Sequence, residues 1–316
     1  MRIVILTGSE TRHVYFRKKM ASDSRIEGLT SYCESDEKSL ANRNKHNEQA
    51  SQLEIQHVEA RAQSEIDFFS DYIENSEDKS NPKLISKGAI NDEAIVNEIV
   101  SMEPDLLVCY GSSLIKSDLL RKFEGRFLNV HLGLSPYYRG SGTNVWPLIN
   151  LEPDMVGATF MYIDAGIDTG KIIHQIRANV YLGDSPHSIG NRLIREMTST
   201  YAEIVCNFRN LESEEQPLIE GKLYYQRDFT AESCEKLYLN FSQSMIRNYL
   251  NSTKKLPYVV KNKGLLLSIY FLANNAVHAA PSVTPPVSTI LQPGVIKFNK
   301  VSKLYFSLCS FCTTYT

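Results

Sequence analysis

Three side chains in this sequence have the types and spacing of a small reactive centre: Asn129, His131 and Asp168. Asn129 and His131 stand two apart in FLNVH. On an extended strand, residues two apart point to the same face. An amide donates hydrogen bonds, an imidazole donates or takes up a proton near neutral pH, and a carboxylate accepts. The pair would therefore serve hydrogen-bond donation and proton movement, or simply form a structural Asn–His pair. Asp168 sits in Gly-Ile-Asp-Thr-Gly between two apolar runs, and on its own that is turn chemistry. Asp-Thr-Gly also marks aspartic proteases, but only one copy is present. No G-x-S-x-G elbow occurs, which removes the serine-hydrolase reading.

The surrounding pattern says what positions them. Residues 3–6 are an apolar run broken by Thr7-Gly8-Ser9, a buried strand feeding a loop. A helix over 12–22 and a strand over 27–32 follow. Residues 106–109 and 127–130 read as further strands, 155–163 and 171–180 as a strand pair. Residues 91–103 suit a helix, and Ile189, Leu193, Met197, Tyr201, Ile204 and Phe208 trace one face of another. Strands alternating with helices predict an α/β fold: an open, mostly parallel Rossmann-like sheet with helices on both faces. In such sheets ligands bind beyond the carboxyl ends of the strands, where Asn129 and His131 would stand. Gly8 is alone where a dinucleotide enzyme has G-x-G-x-x-G, so that fingerprint is absent.

Residues 35–80 hold 11 Asp/Glu against 5 Lys/Arg. Within them Ile55, Val58, Ala62, Ile66, Phe69 and Ile73 recur at three- and four-residue steps. This predicts one amphipathic helix, its charges forming a wet outer face.

The chain has 316 residues, 42% hydrophobic and 22% charged, with a net charge of −2. That is ordinary globular composition, with material for about two domains. The expected organisation is a catalytic domain over 1–210, a connecting helical segment over 211–252, and a small C-terminal appendage over 253–316. This last stretch holds seven lysines, no Asp or Glu, and five of the 12 prolines. The remainder is therefore distinctly acidic, which argues against a nucleic-acid partner. Six scattered cysteines predict a reducing, cytoplasmic compartment, and Cys309-x-x-Cys312 is a weak metal signal. Residues 264–280 are apolar but too short and too polar for a membrane span. No metal is expected, and His174 and His187 read as surface or packing residues. A homodimer is allowed.

The two motifs together resemble the N10-formyltetrahydrofolate-dependent formyltransferase family. Its pattern is N-x-H-x-S-L-L-P-x-x-R-G, then G-x-T, then a D-x-G loop. This chain has Asn129, His131, Leu134, Pro136, Arg139 and Gly140 in register, then Gly157-Ala158-Thr159 and Ile167-Asp168-Thr169-Gly170. It departs at Gly133, where Ser is usual, and at Ser135, where Leu is usual. These are loop positions, expected to affect pocket shape more than chemistry. The resemblance covers roughly residues 1–210.

It implies transfer of a formyl group from N10-formyltetrahydrofolate, as co-substrate, to a primary amine. Asn129 would donate to the formyl oxygen. His131 would donate a second bond or accept the amine's proton, and Asp168 would orient His131 or relay the proton; either could be the base. The folate would lie against the turn from Tyr110 and Gly111 to Leu114 and Ile115, and against backbone at Ala165 and Gly166. Residues 53–73 and 222–229 are similar to segments of formyltransferases acting on nucleotide-linked amino sugars, the expected acceptor class. Tyr137, Tyr138 and Arg139 are candidate acceptor contacts, and Tyr224-Tyr225 is a second aromatic pair. The alternatives are methionyl-tRNA or glycinamide ribonucleotide as acceptor, hydrolysis of the donor, and a non-catalytic folate- or sugar-binding relative.

Overall fold

The computed structural model describes residues 1–35, 51–253, 256 and 258–265. Cys309-x-x-Cys312 and most of the 264–280 stretch lie outside these residues. Among them, seven strands form one sheet in the order β3-β2-β1-β4-β5-β7-β8. These are β1 (Arg2–Gly8), β2 (Gly28–Glu34), β3 (Pro82–Ile85), β4 (Leu106–Tyr110), β5 (Phe127–His131), β7 (Gly157–Tyr162) and β8 (Ile172–Arg177). The first five pair in parallel, and β7 and β8 close one edge antiparallel. A short β6 (Tyr138–Gly140) pairs separately with β9 (Lys222–Tyr224).

The strands carry two cores, as the two-residue period of a strand requires. Ile3 and Ile5 on β1, with Val108 on β4, face α1 (Thr11–Ala21), α2 (Gln52–Asn75) and the long α6 (Pro186–Asn207). Val4, Leu6 and Leu107 face the other way, onto α3 (Glu93–Ser101) and α4 (Ser117–Lys122). Helices thus cover both faces of the mostly parallel sheet. Further on, α5 (Trp146–Ile149) precedes β7, and α7 (Ala231–Ser242) and α8 (Met245–Leu250) follow β9. The expected stripe of α6 is buried from Ile189 to Phe208.

Local sequence starts the helices where the site needs them. Ser51 Oγ accepts from Glu54 N at 3.2 Å, and the Glu54 carboxylate accepts from Ser51 N at 2.9 Å. This capping box satisfies two orphan donors at the head of α2. Ser185 and Ser188 do the same for α6, with Pro186 at its first position.

The buried face of α2 differs from the expected stripe. His57, Glu65 and Phe69 are buried, whereas Ala62 and Ile66 are exposed. The helix is rotated because Arg12 and Arg61 pair with Glu65, which makes its carboxylate tolerable in the interior.

The molecule clusters into two units, Met1–Ala273 and Asn274–Thr316. Within the first, residues 258–265 run along the edge strand β8. Val260 N donates to Gln175 Oε1 (3.0 Å), and Asn262 N donates to His174 Nδ1 (3.0 Å). The start of the basic segment therefore packs with the sheet, and His174 is a buried packing residue. No helix among the described residues is long and apolar enough to cross a membrane.

Candidate active site

Asn129 and His131 project from the carboxyl end of β5 into a cavity of about 630 Å³, and Asp168 reaches it from the loop between β7 and β8. His131 Nδ1 lies 3.2 Å from Asp168 Oδ2. Its Nε2 points back into the protein, 3.0 Å from the carbonyl oxygen of Tyr138. A carbonyl only accepts, so Nε2 carries a hydrogen. Thr143 Oγ1 donates to Leu132 O (2.7 Å) and therefore also faces Nε2, at 3.2 Å, as an acceptor. The ring is thereby fixed, and its remaining nitrogen shares a proton position with Asp168. That carboxylate accepts from Gly140 N at 2.9 Å through Oδ2, which leaves Oδ1 free of protein donors among the described residues. The Asn129 amide likewise has no protein partner among them and lines the cavity.

The motif residues around the centre hold its loops. Thr159, paired with His131 across β5 and β7, donates to Gly133 O (2.7 Å) and accepts from Ser135 N (3.0 Å). This is the work of the threonine in G-x-T: it ties down the chain directly after His131. Gly133 needs to be glycine here, because a Cβ would collide with His131 Nε2 and fall 2.8 Å from both Thr143 Cβ and Tyr138 O. The departure from the family's serine therefore touches the His131 imidazole itself rather than a remote part of the loop. Asp168 adopts φ +54°, a left-handed conformation that Asp and Asn tolerate better than most residues. Gln216 Nε2 holds it there by donating to Asp168 O (2.8 Å) and Gly170 O (2.9 Å). Asp164 accepts from Gly166 N and Thr169 Oγ1, shaping the start of the same loop.

A family profile described as formyl transferase matches residues 1–205. The chain belongs to the formyl transferase family. Among curated relatives, methionyl-tRNA formyltransferase of Alkaliphilus oremlandii is 36% identical over 107 residues, 33% of this chain and 34% of that protein. The Finegoldia magna methionyl-tRNA formyltransferase is 28% identical over 150 residues, covering 45% and 47%. These matches thus span about a third to a half of the relatives' length. Among solved structures, a sugar N-formyltransferase from a Shewanella species aligns with a TM-score of 0.49 and 19% identity, over 72% of this chain and 78% of that one. Glycinamide ribonucleotide transformylase 1 of Symbiobacterium toebii aligns at 0.46 and 20%, over 69% and 94%.

Of the motif residues, Asn129, His131, Gly140, Ile167 and Asp168 meet in the cavity, and not every expected contact does. Tyr110, Gly111, Leu114, Ile115 and Gly166 line it, while Ala165 does not. Gly111, at φ +72°, gives room to the buried His13 ring, which a Cβ would strike. Tyr137, Tyr138 and Arg139 lie outside the wall. Tyr138 turns inward instead, 1% exposed and stacked on Tyr224 at 5.9 Å, because its hydroxyl finds Glu152 and Asn150 there. Tyr225 does reach the wall.

One side of the cavity was not foreseen. Arg12 and His13 from α1, and His57, Arg61 and Glu65 from α2, form it with His187 and Asn191 from α6 and with Asn144, Trp146 and Phe229. Burial lowers His57 to about 3 and His187 to about 4, so both are neutral at physiological pH. Tyr238 bridges them, 3.1 Å from His57 Nδ1 and 3.4 Å from His187 Nε2. The available signal was His57, Arg61 and Glu65 at four-residue steps on one helix face. Among the described residues, no cluster of three or more His, Cys, Asp or Glu has the arrangement of a metal site.

Proposed function

We propose that this protein transfers a formyl group from N10-formyltetrahydrofolate to a primary amine, with a nucleotide-linked amino sugar as acceptor. The observation that carries the reading is the convergence of Asn129, His131 and Asp168 on one cavity, with the Asn129 amide and Asp168 Oδ1 both open to it. The donor fits the wall of Leu114, Ile115, Met161 and Ile163, apolar side chains beside the exposed Asp164, Gly166 and Ile167. The polar wall of Arg12, Arg61, His187 and Asn191 fits a hydrophilic acceptor.

In this reading the amine nitrogen bonds to the formyl carbon. The bond from that carbon to the donor's nitrogen breaks, and the proton shed by the amine ends on the leaving nitrogen. Negative charge gathers on the formyl oxygen, where the Asn129 amide donates; one such donor supplies about 3–4 kcal/mol of transition-state stabilisation. His131 cannot face substrate through Nε2, since that nitrogen is held by Tyr138 and Thr143. The geometry therefore favours Asp168 Oδ1 as the atom that handles the amine's proton. His131, with Nδ1 3.2 Å from Asp168 Oδ2, keeps that carboxylate oxygen in place.

The test is tetrahydrofolate release from 10-formyltetrahydrofolate with a panel of nucleotide-linked amino sugars, methionyl-tRNA and glycinamide ribonucleotide. Release that requires an amino sugar supports the reading. Release without any amine would make the protein a hydrolase, and release only with the tRNA or the ribonucleotide would replace the acceptor.

A further inference from the structure

Arg12 and Arg61 come from different helices and share one oxygen. Arg12 Nη1 is 2.8 Å from Glu65 Oε1, and Arg61 Nε is 3.2 Å from the same atom. The two cations are unequally served. Arg12 also pairs with Glu10, and its side chain is 13% exposed. Arg61 is 35% exposed at the cavity wall, and among the described residues neither of its Nη atoms has a protein hydrogen-bond partner.

The groups around Arg61 do not meet its need. Glu65 is already engaged by two guanidinium contacts and by Arg12 N. Glu10 is committed to Arg12, and Lys87 to Glu34. His57 and His187 are neutral donors or acceptors, not counter-charges. The charge of Arg12 is the leading cause that holds Arg61 below the ordinary arginine value. A guanidinium on a cavity wall with both Nη atoms unpartnered among the described residues, and a second cation on the same Glu65 oxygen, matches the planar oxygen pair of a phosphate or carboxylate.

We propose that Arg61 is the subsite for an oxyanion of the acceptor, held through both Nη atoms at the end of the cavity formed by α1 and α2. This rests on the acceptor reading above, in which the oxyanion belongs to the diphosphate of the nucleotide-linked sugar. The exposed Tyr225 on the same cavity wall, with Arg227 over one face of its ring at 5.0 Å, offers its other face for the base. Arg61 sets acceptor specificity and touches no reacting atom.

The experiment is calorimetric titration of inorganic pyrophosphate, UDP and D-glucuronate into wild type, Arg61→Gln, Arg61→Lys and the distant Arg247→Gln, each also titrated with 5-formyltetrahydrofolate. Pyrophosphate and UDP should bind wild type and Arg247→Gln alike, and at least tenfold more weakly to Arg61→Gln. Arg61→Lys should fall between, since it keeps charge but loses the two-point edge. Binding of glucuronate alone with the same Arg61 dependence would keep the subsite and assign it to a carboxylate. Undiminished diphosphate binding by Arg61→Gln, or no anion binding by a wild type that binds the folate, would overturn the subsite. Anion binding that depends on Arg61 without any folate binding would keep the subsite and sink the formyl-transfer reading. Should Arg61→Gln fail to fold, the Arg61→Lys comparison decides.

Discussion

His131 Nδ1 stands 3.2 Å from Asp168 Oδ2, while the other nitrogen of the ring is bound to the Tyr138 carbonyl. The two catalytic candidates are therefore one proton-sharing unit with a single open atom, Asp168 Oδ1. Asn129 faces the same space with its amide open. In the proposed reaction this divides the labour: charge stabilisation by the amide, proton handling by the carboxylate, support by the imidazole.

Asn129→Ala and Asp168→Asn should each lower kcat/KM by about a hundredfold or more. Asp168→Asn preserves shape and tolerates the left-handed backbone, so its circular dichroism and thermal midpoint should match wild type. Steady-state kinetics with both variants folded is the check; full activity in either would remove that residue from the mechanism.

Gly133→Ala should damage activity more than its size suggests. The added methyl meets His131 Nε2, Thr143 and the Tyr138 carbonyl at once, so the ring must move. A displacement of about 1 Å at a reacting group costs about a hundredfold in rate. Overpacking should cost about 1–3 kcal/mol in stability. Urea melts and turnover measured on the same preparation test both, and an unperturbed enzyme would show that the imidazole is not confined as described.

Acid should destabilise the fold from about pH 6.5 downward. Burial lowers His57 to about 3 and His174 to about 4, against an unfolded value of about 6.5. Between those values the unfolded chain binds protons that the folded chain refuses. The stabilisation is thus complete above pH 6.5 and is lost as pH falls toward 4. His174→Gln can still accept from Asn262 N without titrating, so its urea midpoint should fall less steeply over this window. Parallel curves for the two proteins would contradict the assignment.

Ending the chain at Asn251 should destabilise the first unit relative to a chain that ends at Leu265. The shorter form loses the bonds that Val260, Lys261 and Asn262 make along β8, each worth about 0.5–1.5 kcal/mol. It also bares an edge strand, which invites aggregation. Thermal midpoints and light scattering separate the two forms; equal behaviour would show that the segment is dispensable.

Six of the sheet's seven strands and the spacing of Asn129, His131 and Asp168 were legible in the sequence because each rests on a local pattern; β3 (Pro82–Ile85), short and half polar, was not. Apolar runs of four to six residues mark the strands, and N-x-H followed by D-T-G carries its own spacing. The face of α2 was not legible. Its isoleucines suggested one stripe, but Glu65 is buried by arginines 53 residues away on α1 and one turn away on α2, and no local pattern announces such a pairing. The same distance effect hid Arg12 and the placing of His187 on the cavity wall, whereas the four-residue steps of His57, Arg61 and Glu65 were a local signal left unread. Tyr138 was expected as an acceptor contact, and its inward partners, Tyr224 and Glu152, lie on later segments that no local pattern links to it. Gly133 looked like a minor loop departure because its contact with His131 exists only once the loop has folded back.

The most direct test of the central claim is calorimetric titration of the wild-type protein with 5-formyltetrahydrofolate, an unreactive isomer of the donor. The account predicts saturable binding at one site per chain, weakened at least tenfold by Ile115→Asp in the cavity wall and unaffected by Arg247→Gln. No binding by a folded protein, or binding indifferent to the cavity wall, would contradict it.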